Sequence, residues 1–453
     1  MESRIKTYTY PNGEIQRVQV LRWNDWSQLD FLSMTPSETA LDCFSAIHRN
    51  YLVPAAPFLF GTMILFRLPP DLETDFPYTT RRSGTVADPL TAAAAALREG
   101  VKIRAGKPVF RDERTRSFWQ ALEARDCIRL VSGMLPITTV IPLNDFPGTL
   151  SETAPHARMK VNASFFIMDR FDCATVYDQV GTPFGLCVRN GVVTHPPLYH
   201  REALLINQDG SVCIRPMDVS MLDMEIGGKR YTPGKNATIY TRPRHIRTPS
   251  GKRTALVIIG NRVAAVCRGS VRVPASGFVL CPKGDCSVES GAPVFYRGLE
   301  DIQFGIQVGN SILRDGQKTT RFLSRFYNIR HLEPVPYPPS LYPMNFSRAR
   351  AARIALGADA TGKPLLLWAE GAAKFGYVPG NGSCGASLRE MADICADVGM
   401  YNAVNLDGGG SAQILLNNRR SLMISDRNAS DHTEAERPVP LALYIAGSAQ
   451  DVQ

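Results

Sequence analysis

The chain has 453 residues, of which 44% are hydrophobic and 21% are charged, and its formal net charge is +9. This composition excludes an intrinsically disordered chain and is typical of a globular protein with two or three domains, or of one large domain with extensions. The basic balance fits either an anionic substrate or a solvated basic surface. Because no basic stripe carries interleaved aromatic side chains, we expect no nucleic-acid partner.

The cysteines and the apolar runs exclude two further classes. None of the ten cysteines forms a C-x-x-C pair, so we expect no zinc ribbon. The apolar run Tyr51–Phe66 is too short and too interrupted by proline and glycine to span a membrane, and it favours a buried pair of strands. No leader is recognised at the start of the chain. Cellular location, disulfide state and oligomeric state stay open.

The N-terminal part is predicted to differ from the rest. We expect residues 1–115 to form an N-terminal extension or small accessory domain, ahead of a catalytic domain over residues 116–450. Within the first part, Ile5–Val20 alternates like two strands around the turn Pro11-Asn12-Gly13. The alanine-rich segment Asp88–Glu99, followed by Gly100, indicates a helix.

The middle of the chain is predicted to be rich in strands. From about 120 to 330, short apolar runs alternate with turn dipeptides such as Asn190-Gly191 and Asp209-Gly210. Residues 331–346 are rich in proline and extended, which indicates a linker or a loop packed on the surface.

Beyond residue 352 the pattern becomes regular. Arg353–Gly357 and Pro364–Ala369 are predicted to form a hairpin. Ser387–Val398 has apolar residues at helical spacing, a capping box formed by Ser387 and Glu390, and a C-terminal Gly399. These elements favour an α/β (mixed α+β) fold with a central sheet-rich catalytic domain and flanking helices.

The predicted strand Tyr401–Leu406 runs into Asp407, three glycines and Ser411. A run of glycines loses much conformational freedom on folding, so it is expected where a turn or a close ligand requires it. Loops at the carboxyl ends of strands are also a common place for functional sites.

These blocks give the chain a recognisable family likeness. From roughly 120 to 447 it resembles the phosphodiester glycosidases, and the hallmark of that family is the segment Asn405-Leu-Asp-Gly-Gly-Gly-Ser-Ala412. Companion blocks follow the order of the family: Val161–Phe166, Gly181–Gly185 with Arg189–Gly191, Gly305–Gly316, Arg353–Gly357, Gly385–Ala392, Asn428–Asp431 and Glu436–Val439. Two departures stand out. Ala163-Ser164 replaces a pair of glycines, and Glu370-Gly371-Ala372 replaces an Asp-Gly-Arg turn.

The resemblance implies a hydrolase that cleaves the C1–O bond of a sugar-1-phosphodiester, with an N-acetylglucosamine-like sugar, to give free sugar and a phosphomonoester. A phosphorylated glycan or a sugar-1-phosphodiester is the expected partner. Because phosphate is an acidic leaving group, the general acid of ordinary glycosidases is less necessary. The alternatives are a non-catalytic phosphoglycan-binding protein, and a phosphodiesterase or transferase that acts at the P–O bond.

Three residues are expected to be catalytic. Asp407 is the predicted carboxylate at C1 or at the attacking water, or else it caps its own glycine turn. Glu370 is either an acid/base partner or a solvated turn residue. Arg353 is either a phosphate clamp, since a guanidinium matches phosphate in a bidentate fork, or a structural ion pair.

A further set of residues is expected to bind substrate through phosphate or sugar contacts. The glycine N–H groups could form an anion nest, the asparagines could bond sugar hydroxyls, and the aromatic ring could stack on the sugar. The set comprises Asn162, Phe166, Asn310, Asn405, Gly408, Gly409, Gly410, Ser411, Asp431 and Arg437. No cofactor and no metal site is predicted, although a site with so many oxygen ligands could accept a hard divalent cation.

Overall fold

Strands dominate the computed structural model of the protein. It describes residues 1–34, 61–68, 72, 89–131, 135–143, 148–166, 182–198, 200–241, 247–251, 253–274, 277–319, 349–372, 382–427 and 433–447. In these ranges three α-helices are present: α1 (Pro89–Gly100), α2 (Glu113–Glu123) and α3 (Leu388–Asp397). The fold is therefore mixed, as expected, but mostly β.

Fourteen of the strands in the described ranges lie before residue 227. They are β1 (Glu2–Thr9), β2 (Ile15–Arg22), β3 (Leu29–Ser33), β4 (Gly61–Arg67), β5 (Val101–Arg104), β6 (Lys107–Phe110), β7 (Ile128–Val131), β8 (Leu135–Leu143), β9 (Met159–Asn162), β10 (Cys187–Arg189), β11 (Val192–His195), β12 (Arg201–Asn207), β13 (Val212–Met217) and β14 (Asp223–Ile226).

The remaining strands include those that lead into the candidate site. They are β15 (Lys229–Tyr231), β16 (Ala237–Tyr240), β17 (Thr254–Ile259), β18 (Arg262–Arg268), β19 (Phe278–Pro282), β20 (Val294–Arg297), β21 (Ile302–Gln307), β22 (Ser311–Arg314), β23 (Gln317–Lys318), β24 (Arg353–Ala358), β25 (Pro364–Ala369), β26 (Asn402–Asn405), β27 (Ile414–Leu416) and β28 (Leu441–Ile445).

Two sheets enclose the main core. One has seven strands in the order β1-β2-β25-β24-β26-β22-β23, and the other has four in the order β27-β9-β28-β3. Trp368 and Leu356 of the first sheet pack with Val161, Ile414 and Leu443 of the second. Helix α3 covers the opposite face of the seven-stranded sheet through an apolar side, because its buried residues recur at helical spacing.

The other strands form smaller sheets. A five-stranded sheet has the order β11-β10-β21-β12-β13, a four-stranded sheet β16-β19-β17-β18, and a three-stranded sheet β15-β14-β20. Residues from these three sheets share a second core. The sheet β7-β4-β8 packs with α1 and α2 in a separate cluster, next to the hairpin β5-β6.

Several local predictions are confirmed. The strands around Pro11-Asn12-Gly13 pair as β1 and β2, and β24 pairs with β25 as the predicted hairpin. Helix α3 has both hydrogen bonds of its capping box at Ser387, and Gly399 follows it with a φ of +86°. That backbone region favours glycine, which explains the end of the helix.

The first 34 residues are joined to the sheets around the main core, whereas the sequence predicts an N-terminal extension. Strand β2 pairs with β25 and β3 pairs with β28, so this segment contributes to both sheets around the main core. For residues 35–115, the predicted division into an N-terminal part and a second domain that begins at residue 116 stays a prediction. Of the apolar run 51–66, residues 61–66 lie in β4, and residues 51–60 and 331–346 lie outside the described part.

Within the described ranges, every helix is too short or too polar to cross a membrane.

Replacement of Leu21 by alanine tests whether the N-terminal strands belong to the main core. Leu21 is fully buried, at 0% exposure, against that core. We expect Leu21→Ala to lower the free energy of unfolding by about 3 kcal/mol, because it leaves a cavity. The measurement is urea unfolding. Ile5→Ala on β1, where Ile5 is 51% exposed, should change it by less than about 1 kcal/mol. Equal small effects would show that this segment is peripheral.

Candidate active site

Asp407 lies just beyond β26, where the main chain is held by the end of β9. Its N–H donates to the carbonyl of Ala163 at 3.3 Å. The side-chain amide of Asn162 donates to the carbonyl of Asp407 at 2.8 Å. The amide oxygen of Asn162 in turn accepts the N–H of Gln413 at 3.0 Å. Because Asn162 is 1% exposed and bonded at both ends, it positions Asp407 and leaves no side for a sugar hydroxyl.

The carboxyl group of Asp407 lies in an environment that disfavours its charge. Burial raises the pKa of Asp407 to about 6, and the opposing influences are the Ser411 hydroxyl, the charge of Arg437, the Gly408 N–H and the charge of Arg353. The residue as a whole keeps intermediate exposure. A carboxyl group with a pKa near neutrality can both gain and lose a proton in the physiological range.

The three glycines allow close packing around this carboxyl group. A Cβ on Gly408 would lie 2.7 Å from the carbonyl oxygen of Ala352, and a Cβ on Gly410 would collide with Arg437 and Asp426. Gly409 needs no extra space but has a φ of +59°, which favours glycine.

The predicted anion nest is not open at two of these glycines. The N–H of Gly408 donates to its neighbour, the Asp407 carboxylate, at 2.9 Å. The N–H of Gly409 donates to the carbonyl of Ala352 at 2.8 Å. Both donors therefore stabilise the loop itself, so the glycine run is explained by packing and by the position of Asp407.

Arg353 approaches Asp407 from the neighbouring strand. Ala355 of β24 pairs with Asn405 of β26. Because the strands are antiparallel, the same register continued by two positions places Arg353 opposite Asp407. Arg353 is 2% exposed, and its Nε and Nη2 donate to the carbonyls of Ala386 and Ala349 at 3.0 and 2.8 Å. Burial lowers the pKa of Arg353 to about 10, and Asp407 opposes this shift. Its guanidinium is thus charged at neutral pH and rigidly oriented, with one edge bonded to the protein.

A second guanidinium reaches the site through Ser411. Arg437 forms a two-point ion pair with Asp426, at 2.8 and 3.1 Å, and its Nη1 lies 3.5 Å from the Ser411 hydroxyl. The Ser411 side chain bonds Asp407. A polar chain therefore joins Asp426, Arg437, Ser411 and Asp407. Asp426 was missed in the sequence because it belongs to none of the family blocks.

Glu370 is a structural carboxylate, contrary to both roles expected for it. It is 0% exposed, and Arg17 donates to its two oxygens, each at 2.7 Å. The Ser383 hydroxyl and the Met423 N–H also donate to it. Along β25 it follows Trp368 on the main-core face, whereas Arg353 shares the opposite face with Ala355. Side chains alternate along a strand, so Glu370 and Arg353 lie on different faces of the sheet.

The remaining predicted residues divide into core and periphery. Phe166 is 6% exposed and packs among apolar residues such as Met34 and Val439, so it is a core residue and not a sugar-stacking ring. Asn405 is 4% exposed, and its main chain bonds Gly309 and Asn310. Asn310 lines a cavity of about 190 Å³ that also contains Glu202 and Arg314. No sequence pattern indicates this cavity, because its lining residues lie in or next to separate strands.

The last predicted site residue, Asp431, and the two family departures at Ala163 and Ser164 have different outcomes. Asp431 lies outside the described residues. The side chains that replace the two family glycines, Ala163 and Ser164, are 0% and 3% exposed, so they fill space beside the Asp407 main chain. In the described part of the chain, His, Cys, Asp and Glu side chains form no group of three or more that could hold a metal ion.

Comparisons with known proteins support the family likeness. Residues 276–446 match the family model described as phosphodiester glycosidase, which confirms the resemblance over these residues. A search of curated proteins found no match.

The solved structures that are similar to the chain include three with low sequence identity to it. A hypothetical protein from Synechocystis has 16% identity and a TM-score of 0.45, with 97% of this chain and 61% of that chain covered. The auto-inhibited catalytic domain of zebrafish N-acetylglucosamine-1-phosphodiester alpha-N-acetylglucosaminidase has 12% identity and a TM-score of 0.40, with 99% and 83% covered. A protein described as exported, from Burkholderia pseudomallei, has 16% identity and a TM-score of 0.38, with 98% and 96% covered. At these values none of them assigns an activity to this chain, which spans 61% of the Synechocystis protein.

Replacement of Glu370 by glutamine tests its structural role. We expect Glu370→Gln to lower the free energy of unfolding by about 3 kcal/mol, because it removes the charge that Arg17 pairs with in a buried setting. Asp397→Asn removes a partner of Lys6 in a pair with exposures of 48% and 39%, and should cost less than about 1 kcal/mol. Urea unfolding measures both. A Glu370→Gln protein with wild-type stability and no turnover would restore the catalytic role.

Proposed function

Since residues 276–446 match the phosphodiester glycosidase family, we propose that the protein is a hydrolase that acts on a sugar-1-phosphodiester. It cleaves the bond between C1 of an N-acetylglucosamine-like sugar and the phosphodiester oxygen. The observation that carries the proposal is the Asp407 carboxyl group, which has a pKa near 6 and is influenced by two guanidinium groups. It lies in the loop that is the hallmark of the family.

The proposed reaction needs one ionised carboxylate. The C1–O bond breaks, and its electron pair stays on the phosphate oxygen. Water then bonds to C1 and releases a proton, which Asp407 or the solvent accepts. The products are the free sugar and a phosphomonoester. Above pH 6 the Asp407 carboxylate can stabilise positive charge at C1 or deprotonate the water.

The two arginines supply the positive charge that a departing phosphate requires. Arg353 is fixed by carbonyl contacts and needs no reorientation during the reaction, which is the condition for effective electrostatic stabilisation. Arg437 keeps 27% of its side chain exposed and is the cation more open to a ligand. Its ion pair with Asp426 holds the planar group in one orientation, which favours contacts with phosphate oxygens.

Two other functions compete with this proposal. A phosphoglycan-binding protein would need the cations but not a carboxyl group with a raised pKa, because a carboxylate beside phosphate weakens binding. The pKa of Asp407 therefore favours an enzyme. A phosphodiesterase or transferase would attack phosphorus at the P–O bond instead of C1.

Replacement of Asp407 by asparagine tests the proposed role of the carboxylate. We expect Asp407→Asn to lower kcat/KM on a sugar-1-phosphodiester by at least about 100-fold. For the wild type, kcat/KM should rise with pH and level off above about pH 6, because the reactive form is ionised and the pKa of Asp407 is raised to about 6. Asp209→Asn, in an exposed turn, is the control and should retain wild-type activity. Undiminished turnover by Asp407→Asn would refute the role.

Hydrolysis in water labelled with heavy oxygen distinguishes the two bonds. The proposal predicts label in the released sugar, because water attacks C1. Mass spectrometry of both products gives the answer. Label in the phosphomonoester would assign the protein to the phosphodiesterases, and no hydrolysis of any sugar-1-phosphodiester tested would favour the binding protein.

A further inference from the structure

The four-stranded sheet β16-β19-β17-β18 has a positively charged end. Strands β16 and β17 begin there and β19 and β18 end there, as the pairs Ala237–Pro282 and Thr254–Arg268 show. Each strand contributes one cation at or next to this end. These four residues, which we call the basic row, are Lys235, Lys283, Arg253 and Arg268.

The basic row follows the hydrogen-bonding direction of the sheet. Neighbouring strands lie about 4.8 Å apart, so four strands place the cations along roughly 15 Å. The register of β17 with β19, which pairs Leu256 with Leu280, extends to place Arg253 opposite Lys283. The row is therefore continuous across the sheet.

A cavity of about 620 Å³ opens beside the row. Its lining includes Arg253, Arg268 and Lys283, and Asp285 is the one carboxylate among its lining residues. All four cations of the row are exposed. The Nζ of Lys283 donates to the carbonyl of Lys235 at 3.1 Å, which orients that ammonium group within the row.

The charges of the basic row are not neutralised within the described part of the protein. No ion pair there involves any of its four members. Like charges on adjacent strands destabilise a sheet. A bound anion would remove this repulsion and gain from all four cations at once.

The lining of the cavity also bears on the kind of anion. It contains no aromatic side chain, so it offers no platform on which a nucleobase could stack. Recognition would then rest mainly on the negative charges of the ligand. A row of about 15 Å is longer than a small anion, so a linear polymer could contact all four cations at once.

We propose that the basic row is a non-catalytic binding site for a linear glycan whose units are joined by phosphodiester bonds. That a polyanion binds here follows from the row itself. The choice of a phosphodiester-linked glycan rests on the proposed function, because such a polymer carries the bond that the Asp407 site would cleave. The row would hold the polymer on the protein between successive cleavages.

The test measures the affinity of a fluorescein-labelled synthetic oligomer of N-acetylglucosamine 1-phosphate for the full chain. Fluorescence polarisation is recorded with Asp407→Asn as the background, so that turnover does not consume the probe. We expect Arg253→Glu/Arg268→Glu to weaken binding by about tenfold or more at low salt, and to reduce the salt dependence, because fewer counterions are released.

Lys107→Glu/Arg111→Glu is the control, since both residues are exposed on or beside β6 and the net charge changes equally. Its affinity should stay at the level of the background protein. Equal losses in the two double variants would reduce the effect to net charge and overturn the proposal. The proposal would also be overturned if the background protein, with its basic row intact, did not bind the labelled oligomer.

Two further arms separate this proposal from its rivals and from the proposed function. Tighter binding of oligothymidylate or of a heparin oligosaccharide of matched charge would overturn the assignment to a phosphodiester-linked glycan. In the protein that keeps Asp407, the double variant Arg253→Glu/Arg268→Glu should retain wild-type kcat on a substrate with a single phosphodiester bond. If no such substrate is hydrolysed, the proposed function fails. The difference in affinity between the row variant and the control variant still shows whether the basic row binds a polyanion.

Discussion

The burial of the Asp407 carboxyl group, whose pKa also responds to the charges of Arg353 and Arg437, is the interaction on which the site depends. Desolvation raises its pKa to about 6 despite a hydroxyl, an N–H and two cations that favour the charged form. The folded protein therefore carries a penalty that is fully present above pH 6, where Asp407 is ionised in both states. The penalty disappears below the ordinary pKa of aspartate, where the group is protonated in both. A shift of this size corresponds to about 3 kcal/mol, which the surrounding packing must offset.

The neighbours of Asp407 keep that carboxyl group in place. Asn162 joins its main chain to β9 and to Gln413, and the glycines let the loop pack directly against Ala352. Glu370 has a structural role instead, because directly after β25 it accepts two hydrogen bonds from Arg17 of β2, on the other face of the sheet. In the proposed reaction Asp407 is the reactive carboxylate and Glu370 is structural, and one reactive carboxylate is sufficient because phosphate is an acidic leaving group.

Local features of the fold could be predicted from the sequence, whereas long-range partners could not. The capping box at Ser387 and the hairpin of β24 and β25 depend on residues a few positions apart, so their patterns are readable. Arg17 and Glu370 are separated by 353 positions, and no periodicity indicates such a pair. The same limit explains why β2 was assigned to an extension. It also explains why Phe166 and Asn162 were expected to face substrate, since burial and hydrogen-bond partners are decided by distant strands.

Burial raises the pKa of the Asp407 carboxyl group to about 6, and this raised pKa supports the proposed reaction. Carbon NMR of protein labelled at the aspartate side-chain carboxyl carbon measures this directly, with Asp407→Asn identifying the signal. We expect a titration midpoint near pH 6 for the signal that the variant lacks, because burial raises the pKa of Asp407 to about 6. A midpoint near that of an ordinary exposed aspartate would contradict it, because the carboxyl group would then be solvated and no different from the other carboxylates of the protein.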